Sequence, residues 1–312
     1  MKKGQKIFPS VATNSMEWVF VNRNQAAEIA ELRSRYRYHP MDLKEVLPPL
    51  QRAKVLSRDG YIFMILLYPI YDKAQHEIKV TEVDFFISPK RLVTVNMEGY
   101  PPLISLFHKC KNARTAHVCM QGDVMQLMHA LLRDMLEYIF PMLVQINADL
   151  DRVEEQLFTN FDKTLIQELL RIKTNIANIR KAMQPHQTVL RNLIKTAPLH
   201  FPAYQLTIND HLEGLAEHAQ EVWDTLESQK GMVDTLHETH KSLIDFRINE
   251  IIKTLTIFSV IILPISAVAG IFGMNAVAMP LVDHASGFWI IIGMVTLLSG
   301  GMLVYFKWRK WL

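Results

Sequence analysis

Two long uncharged stretches near the C-terminus constrain this chain most. Leu255 to Phe272 reads LTIFSVIILPISAVAGIF, and Gly287 to Phe306 reads GFWIIIGMVTLLSGGMLVYF; neither holds Asp, Glu, Lys or Arg. Crossing a hydrocarbon core of ~30 Å takes about 20 helical residues, so both stretches are long enough to span. Soluble core helices seldom stay uncharged for this long. Trp289, Tyr305, Trp308 and Trp311 also stand where interfacial aromatics belong. Arg247 and Lys253 precede the first stretch and Lys307, Arg309 and Lys310 follow the second, while the eleven residues 276–286 contain no Lys or Arg. The positive-inside bias therefore predicts two spans in the cell (inner) membrane, both termini cytoplasmic and the short loop outside.

Composition removes several other classes. The 34 Lys+Arg against 31 Asp+Glu leave a net charge of +3, too even for a nucleic-acid binder. With 49% hydrophobic and 21% charged residues, disorder is excluded as the main state. Cys110 and Cys119 stand in neither a CxxC nor a Cys/His zinc spacing, and two unpaired cysteines suit a reducing compartment. The basic start Met1–Lys6 leads into no long apolar stretch, so no secretory signal is expected.

The remaining residues organise into segments. In 1–120, strand signals at Met16–Val21, Tyr61–Tyr68, Val83–Ser88 and Arg91–Val95 alternate with helical ones at Asn24–Tyr36 and Met41–Leu47. This predicts a cytoplasmic α+β domain, a mixed sheet with helices against it. Helical spacing takes over in 121–202, with Pro141, Pro185, Pro198 and Pro202 as expected breakers. Residues 203–272 then read as one stalk helix, ~105 Å long at 1.5 Å per residue, that continues into the first span. An outer loop over 273–286, a second span over 287–306 and a basic cytoplasmic tail over 307–312 complete the chain.

Spacing marks one stripe on the first span. Asn249, Ile252, Thr256, Ser259, Leu263, Ser266 and Gly270 recur three and four residues apart, as in a heptad seam. Five of the seven are Asn, Thr, Ser or Gly, in a helix otherwise dominated by Ile, Val, Phe and Ala. Two readings fit this spacing equally: a pore lining, or a small-residue helix–helix seam whose hydroxyls bond back to their own helix.

The first span ends in Gly273-Met274-Asn275, within AGIFGMN, and is preceded by NEIIKTLT at 249–256. With HPMDLKEVL at 39–47, QRAKV at 51–55 and the terminal Lys310-Trp311-Leu312, the chain resembles the CorA family of divalent-cation channels and transporters. That family also includes zinc-transporting relatives. The resemblance covers nearly the whole chain. It implies a funnel-shaped homopentamer embedded in membrane lipid, with five first spans lining one pore and a ring of Gly-Met-Asn motifs selecting hydrated cations. In this context the stripe reads as pore lining. Asn275, Ser266, Ser259, Thr256 and Asn249 would hydrogen-bond an ion's waters, while Leu263 and Ile252 would form constrictions that gate by dewetting. Mg²⁺, which gives up water reluctantly, suits such a pore.

Departures from the family pattern matter as well. Leu281 stands where an acid commonly follows the Met-Pro pair, leaving Asp283 to attract cations and His284 as a contact for softer ions. The family's regulatory metal pair is half visible: Lys44-Glu45 replaces Glu-Asp, and Gly214 falls near the expected stalk acid, with Glu213 beside it. Glu238, between His237 and His240, takes the place of an acidic inner-funnel residue. The expected cargo is Mg²⁺, with Co²⁺ and Ni²⁺ as family-typical alternatives and Zn²⁺ as the runner-up, passed passively or with proton coupling. No resident cofactor is expected. The absence of a P-loop, GxSxG or HExxH motif argues against an enzyme or membrane-anchored sensor.

Overall fold

A computed structural model describes residues 8–22, 26–96, 99–112, 116, 120, 122–157, 163–201, 205–274, 279–281, 285–309 and 311. The chain divides into two compact units, Met1–Leu236 and His237–Leu312.

The first unit is built on a six-stranded sheet. Its strands are β1 (Ser10–Ala12), β2 (Glu17–Asn22), β3 (Lys54–Arg58), β4 (Tyr61–Asp72), β5 (Glu77–Ser88) and β6 (Arg91–Asn96). Their order across the sheet is β1-β2-β6-β5-β4-β3. β2 and β6 run parallel and all other pairs are antiparallel. The sheet is mixed, as expected.

Both faces of the sheet are covered, which explains why β4 reads as an unbroken apolar run instead of alternating. On one face Val19, Val21, Phe63, Ile65, Phe86, Val93 and Val95 pack with Leu32 of α1 (Ala26–Tyr36) and Leu43 of α2 (Pro40–Glu45). Trp18, Ile62, Met64, Leu66, Tyr68 and Phe85 are buried on the other face. Five further helices among the described residues belong to this unit: α3 (Pro101–Lys111), α4 (Val124–Glu137), α5 (Phe140–Leu157), α6 (Lys163–Met183) and α7 (His186–His200). α6 packs on β4 and β5, α7 on β3 and β4, and α4 on β6. Two amides fix α6 to the backbone of β5. Asn175 Oδ1 accepts from Ile78 N at 2.9 Å, and Asn178 Nδ2 donates to the Ile78 carbonyl at 2.8 Å.

The prolines behave differently from one another. The break near Pro141 falls at Tyr138–Ile139, and Pro141 sits in the first turn of α5, where its missing N–H costs nothing. Pro185 is the residue before α7. Pro198, expected to break a helix, lies inside α7, whose end only two residues later limits the loss.

The long helix α8 runs from Gln205 to Phe272 without interruption at Pro264. In the first unit it buries Leu212, Leu215, Ala219, Val222, Leu226, Gln229, Val233 and Leu236, again three and four apart. Polar contacts reinforce this seam. Gln229 Nε2 donates to the Leu143 carbonyl and to Asn147 Oδ1, each at 2.8 Å. Lys173 pairs with Asp234 at 3.0 Å, and Arg180 pairs with Glu227 while lying over the Trp223 ring.

In the second unit, the end of α8 and α9 (Gly287–Trp308) are the two described helices long and apolar enough to cross a membrane. Their apolar windows are only 6% buried.

Candidate functional site: the first span and its outer end

The stripe residues all lie on α8. At 100° per residue their Cα positions fall within an arc of about 100°. Asn249, Ile252, Leu263, Ser266 and Gly270 are exposed within the chain, and Thr256 and Ser259 are half-buried. Leu263 is 66% exposed and Ile252 54%. Off the stripe, the apolar residues the chain covers, Ile257 and in part Val260, Ile261, Pro264, Val268 and Phe272, centre roughly 130° away around the same helix. Most of the polar stripe therefore lies off the face that α8 spends on its own chain, with Thr256 and Ser259 at its edge. Thr256 Oγ1 donates to the Ile252 carbonyl at 2.7 Å. This bond uses the hydroxyl proton and leaves oxygen lone pairs for water.

α8 ends in a tight turn. Gly273 N donates to the Ala269 carbonyl at 2.9 Å and Met274 N to Ile271 at 3.2 Å. A Cβ at Gly273 would come within 3.1 Å of the Ala269 carbonyl oxygen. Met274 is exposed. Asn275, Asp283 and His284 lie outside the described residues.

One contact at this end escaped the sequence reading. Leu281 holds a left-handed backbone, φ 73°, unusual for a branched side chain. Its carbonyl oxygen would stand 1.9 Å from a Cβ at Gly287, the buried first residue of α9. Only glycine fits there. The neighbouring Ser286-Gly287 pair carried no signal of its own because the constraint comes from the preceding loop.

The remaining candidates occupy separate places, and no described contact joins Glu45 to Glu213 within the chain. Glu45, at the end of α2, pairs with Lys54 on β3 at 2.6 Å. Glu213 lines an open groove of about 890 Å³ between α7 and α8, with Glu217, Glu221 and Asp224 on its own helix and Arg191 and Lys195 opposite. Glu238 is exposed. His237 is exposed but His240 is buried, so the two do not form a solvent-facing pair. Among the described residues no three His, Cys, Asp or Glu groups are placed to hold one metal ion.

A family model described as CorA-like Mg²⁺ transporter protein matches residues 13–308. The chain belongs to this CorA-like family. It is 24% identical over 309 residues to the cobalt/magnesium transport protein CorA of Thermotoga maritima, which covers 99% of this chain and 87% of that one. The complete structure of the CorA magnesium transporter from Methanocaldococcus jannaschii matches with a TM-score of 0.84 at 17% identity, over 96% of this chain and 92% of that one. The ZntB cytoplasmic domain from Vibrio parahaemolyticus matches at 0.61 and 13% identity, over 75% and 90%. These two structures share the fold: a sheet-and-helix domain, a long helix and, in the complete CorA, the C-terminal apolar helices.

Proposed function

We propose that this CorA-like chain transports hydrated divalent cations, Mg²⁺ first and Co²⁺ or Ni²⁺ as alternatives, through a pore lined by α8 from five copies. The observation that carries this reading is the polar stripe on α8, five of whose seven residues the chain leaves exposed. A lone helix with this stripe facing lipid would expose Asn, Ser and Thr to hydrocarbon. Gathered around an axis, the same side chains meet water and the ion's hydration shell.

Each stripe position then has a physical task. Asn275 at the outer mouth offers carbonyl oxygens to the waters of an arriving ion. Ser266, Ser259, Thr256 and Asn249 repeat that service inward, so dehydration of Mg²⁺ is never required. Leu263 and Ile252 close the path when the rings of five are too narrow to stay wet. Asp283 and His284 belong to the outer mouth and Glu238 to the inner approach. The basic flanks put both termini on the cytoplasmic side of the inner membrane. Nothing in this scheme calls for a resident cofactor or for catalysis.

Regulation by cytoplasmic Mg²⁺ through Glu45 and Glu213 is weak in this reading. Glu45 already holds Lys54, so a metal would have to displace an ammonium. Ion uptake into proteoliposomes, comparing Mg²⁺, Co²⁺, Ni²⁺ and Zn²⁺ under imposed voltage and proton gradients, tests the proposal. Uptake of Mg²⁺ supports it, uptake of Zn²⁺ alone reassigns the cargo, and no uptake of any ion defeats it.

A further inference from the structure

Two histidines meet between α4 and α8 that no role above uses. The rings of His129 and His211 stack with centroids 4.8 Å apart and planes inclined by 26°. His218 stands seven residues beyond His211, two turns along the same helix face. Arg133, one turn beyond His129 on α4, has long ion-pair contacts among the described residues, 3.7 Å to Asp134 and 3.5 Å to Glu137. The charged groups that His129 feels are His211 and His218 from α8 and Arg133 from its own helix. All three are basic.

Neutral imidazoles tolerate such a stack. Two imidazolium rings at this distance repel, and among the described residues the charges that act on His129 are basic, with the exposed Asp210 next to His211 the nearest acid in sequence. The contact lies beside Leu212, Leu215 and Ala219, the start of the seam by which α8 is held in the first unit. We propose that the His129–His211 stack is a proton-sensing contact, which fastens α8 around His211 to α4 while His129 is neutral and loosens it when His129 is protonated. Burial first, and then the basic neighbours, hold His129 below the usual histidine value of 6.5. A lowered value means that the unfastened state takes up protons more readily. The contact is thus complete above about pH 6.5 and weakens as the pH falls below it. α8 is the helix that continues to Phe272, so the sensor sits on the element that carries the polar stripe.

Hydrogen exchange on the full-length protein in lipid nanodiscs tests this without reference to the transported ion. Protection of amides 209–219, corrected for intrinsic exchange chemistry, should fall about threefold or more between pH 7.5 and pH 5.5. His129→Phe keeps a ring to stack and cannot be protonated, so it should remove most of that fall. His211→Gln should do the same by a separate route. Equal protection of the wild type at both pH values would overturn the proposal. So would a wild-type fall in either variant, or a loss that the amides of β4 share to the same degree.

Discussion

The helix α8 carries two seams of the same spacing and opposite chemistry. Between Leu212 and Leu236 the positions three and four apart are Leu, Ala, Val and one Gln, all buried within the chain. Between Asn249 and Gly270 they are Asn, Ile, Thr, Ser, Leu, Ser and Gly, and the chain leaves most of them uncovered. Spacing states only that a helix has a face to share. The side chains differ: the first seam meets apolar partners in its own unit, and the second carries the polar groups that the proposed pore would turn to water and to other copies.

The first way to sharpen this contrast is to damage each seam's territory separately. Leu66, buried in the sheet of the first unit, should cost about 2–5 kcal/mol when changed to Ala, because a closely packed core collapses only partly around a cavity. Denaturant unfolding of the detergent-solubilised protein reads this directly. Ion selectivity in molecules that remain folded should be unchanged.

Acid should weaken the first unit by a comparable amount. His186 is fully buried against Tyr68, its Nδ1 donates to the Ala182 carbonyl, and burial lowers its pKa to about 4. The unfolded chain, with a histidine near 6.5, binds the proton first. Stability is therefore full above pH 6.5 and falls by up to about 3 kcal/mol as the pH drops to 4. Thermal unfolding at pH 7.5 and 4.5 should show this loss, and His186→Gln should flatten it. An unchanged pH slope in that variant would remove His186 from the account.

At the outer end the effect moves from stability to transport. Gly287→Ala places a methyl on the Leu281 carbonyl and should displace the loop that returns from Gly273-Met274-Asn275 to α9. Divalent flux should fall severalfold while unfolding of the first unit stays within about 0.5 kcal/mol of wild type. The smallest effect is expected at Glu45→Lys: flux within about twofold of wild type, because the carboxylate is engaged by Lys54. A channel locked open by this change would show that the cytoplasmic metal site is stronger than its residues suggest.

Much of this was legible in the sequence, for reasons that differ by element. β2, β4, β5 and β6 announced themselves through β-branched and aromatic runs, because a sheet covered on both faces needs them. β1 and β3 did not, being short edge strands, SVA and KVLSR, with too few apolar residues to form a run. The turn Asp59-Gly60, with Gly60 at φ 81°, was the overlooked sign of the β3–β4 hairpin. α3 begins with Pro101-Pro102, a starting signal that reads as a breaker when helices are sought by periodicity alone. Apolar length gave the two membrane helices, and the 3–4 spacing gave the stripe. The Leu281–Gly287 contact and the His129–His211 stack were illegible, since each depends on a loop conformation or a long-range approach that no local pattern records.

The central claim is that the stripe on α8, and not another exposed face, lines the ion path. Leu263 lies on the stripe and is 66% exposed within the chain; Phe258 lies off it and is 59% exposed. The most direct measurement is Mg²⁺ leak through proteoliposomes carrying Leu263→Ser or Phe258→Ser at matched protein content. A serine ring in place of five leucines should keep the constriction wet and raise the leak about tenfold, while Phe258→Ser leaves it at the wild-type level. Equal leak in the two variants, or a rise only with Phe258→Ser, would contradict the assignment of this face to the pore.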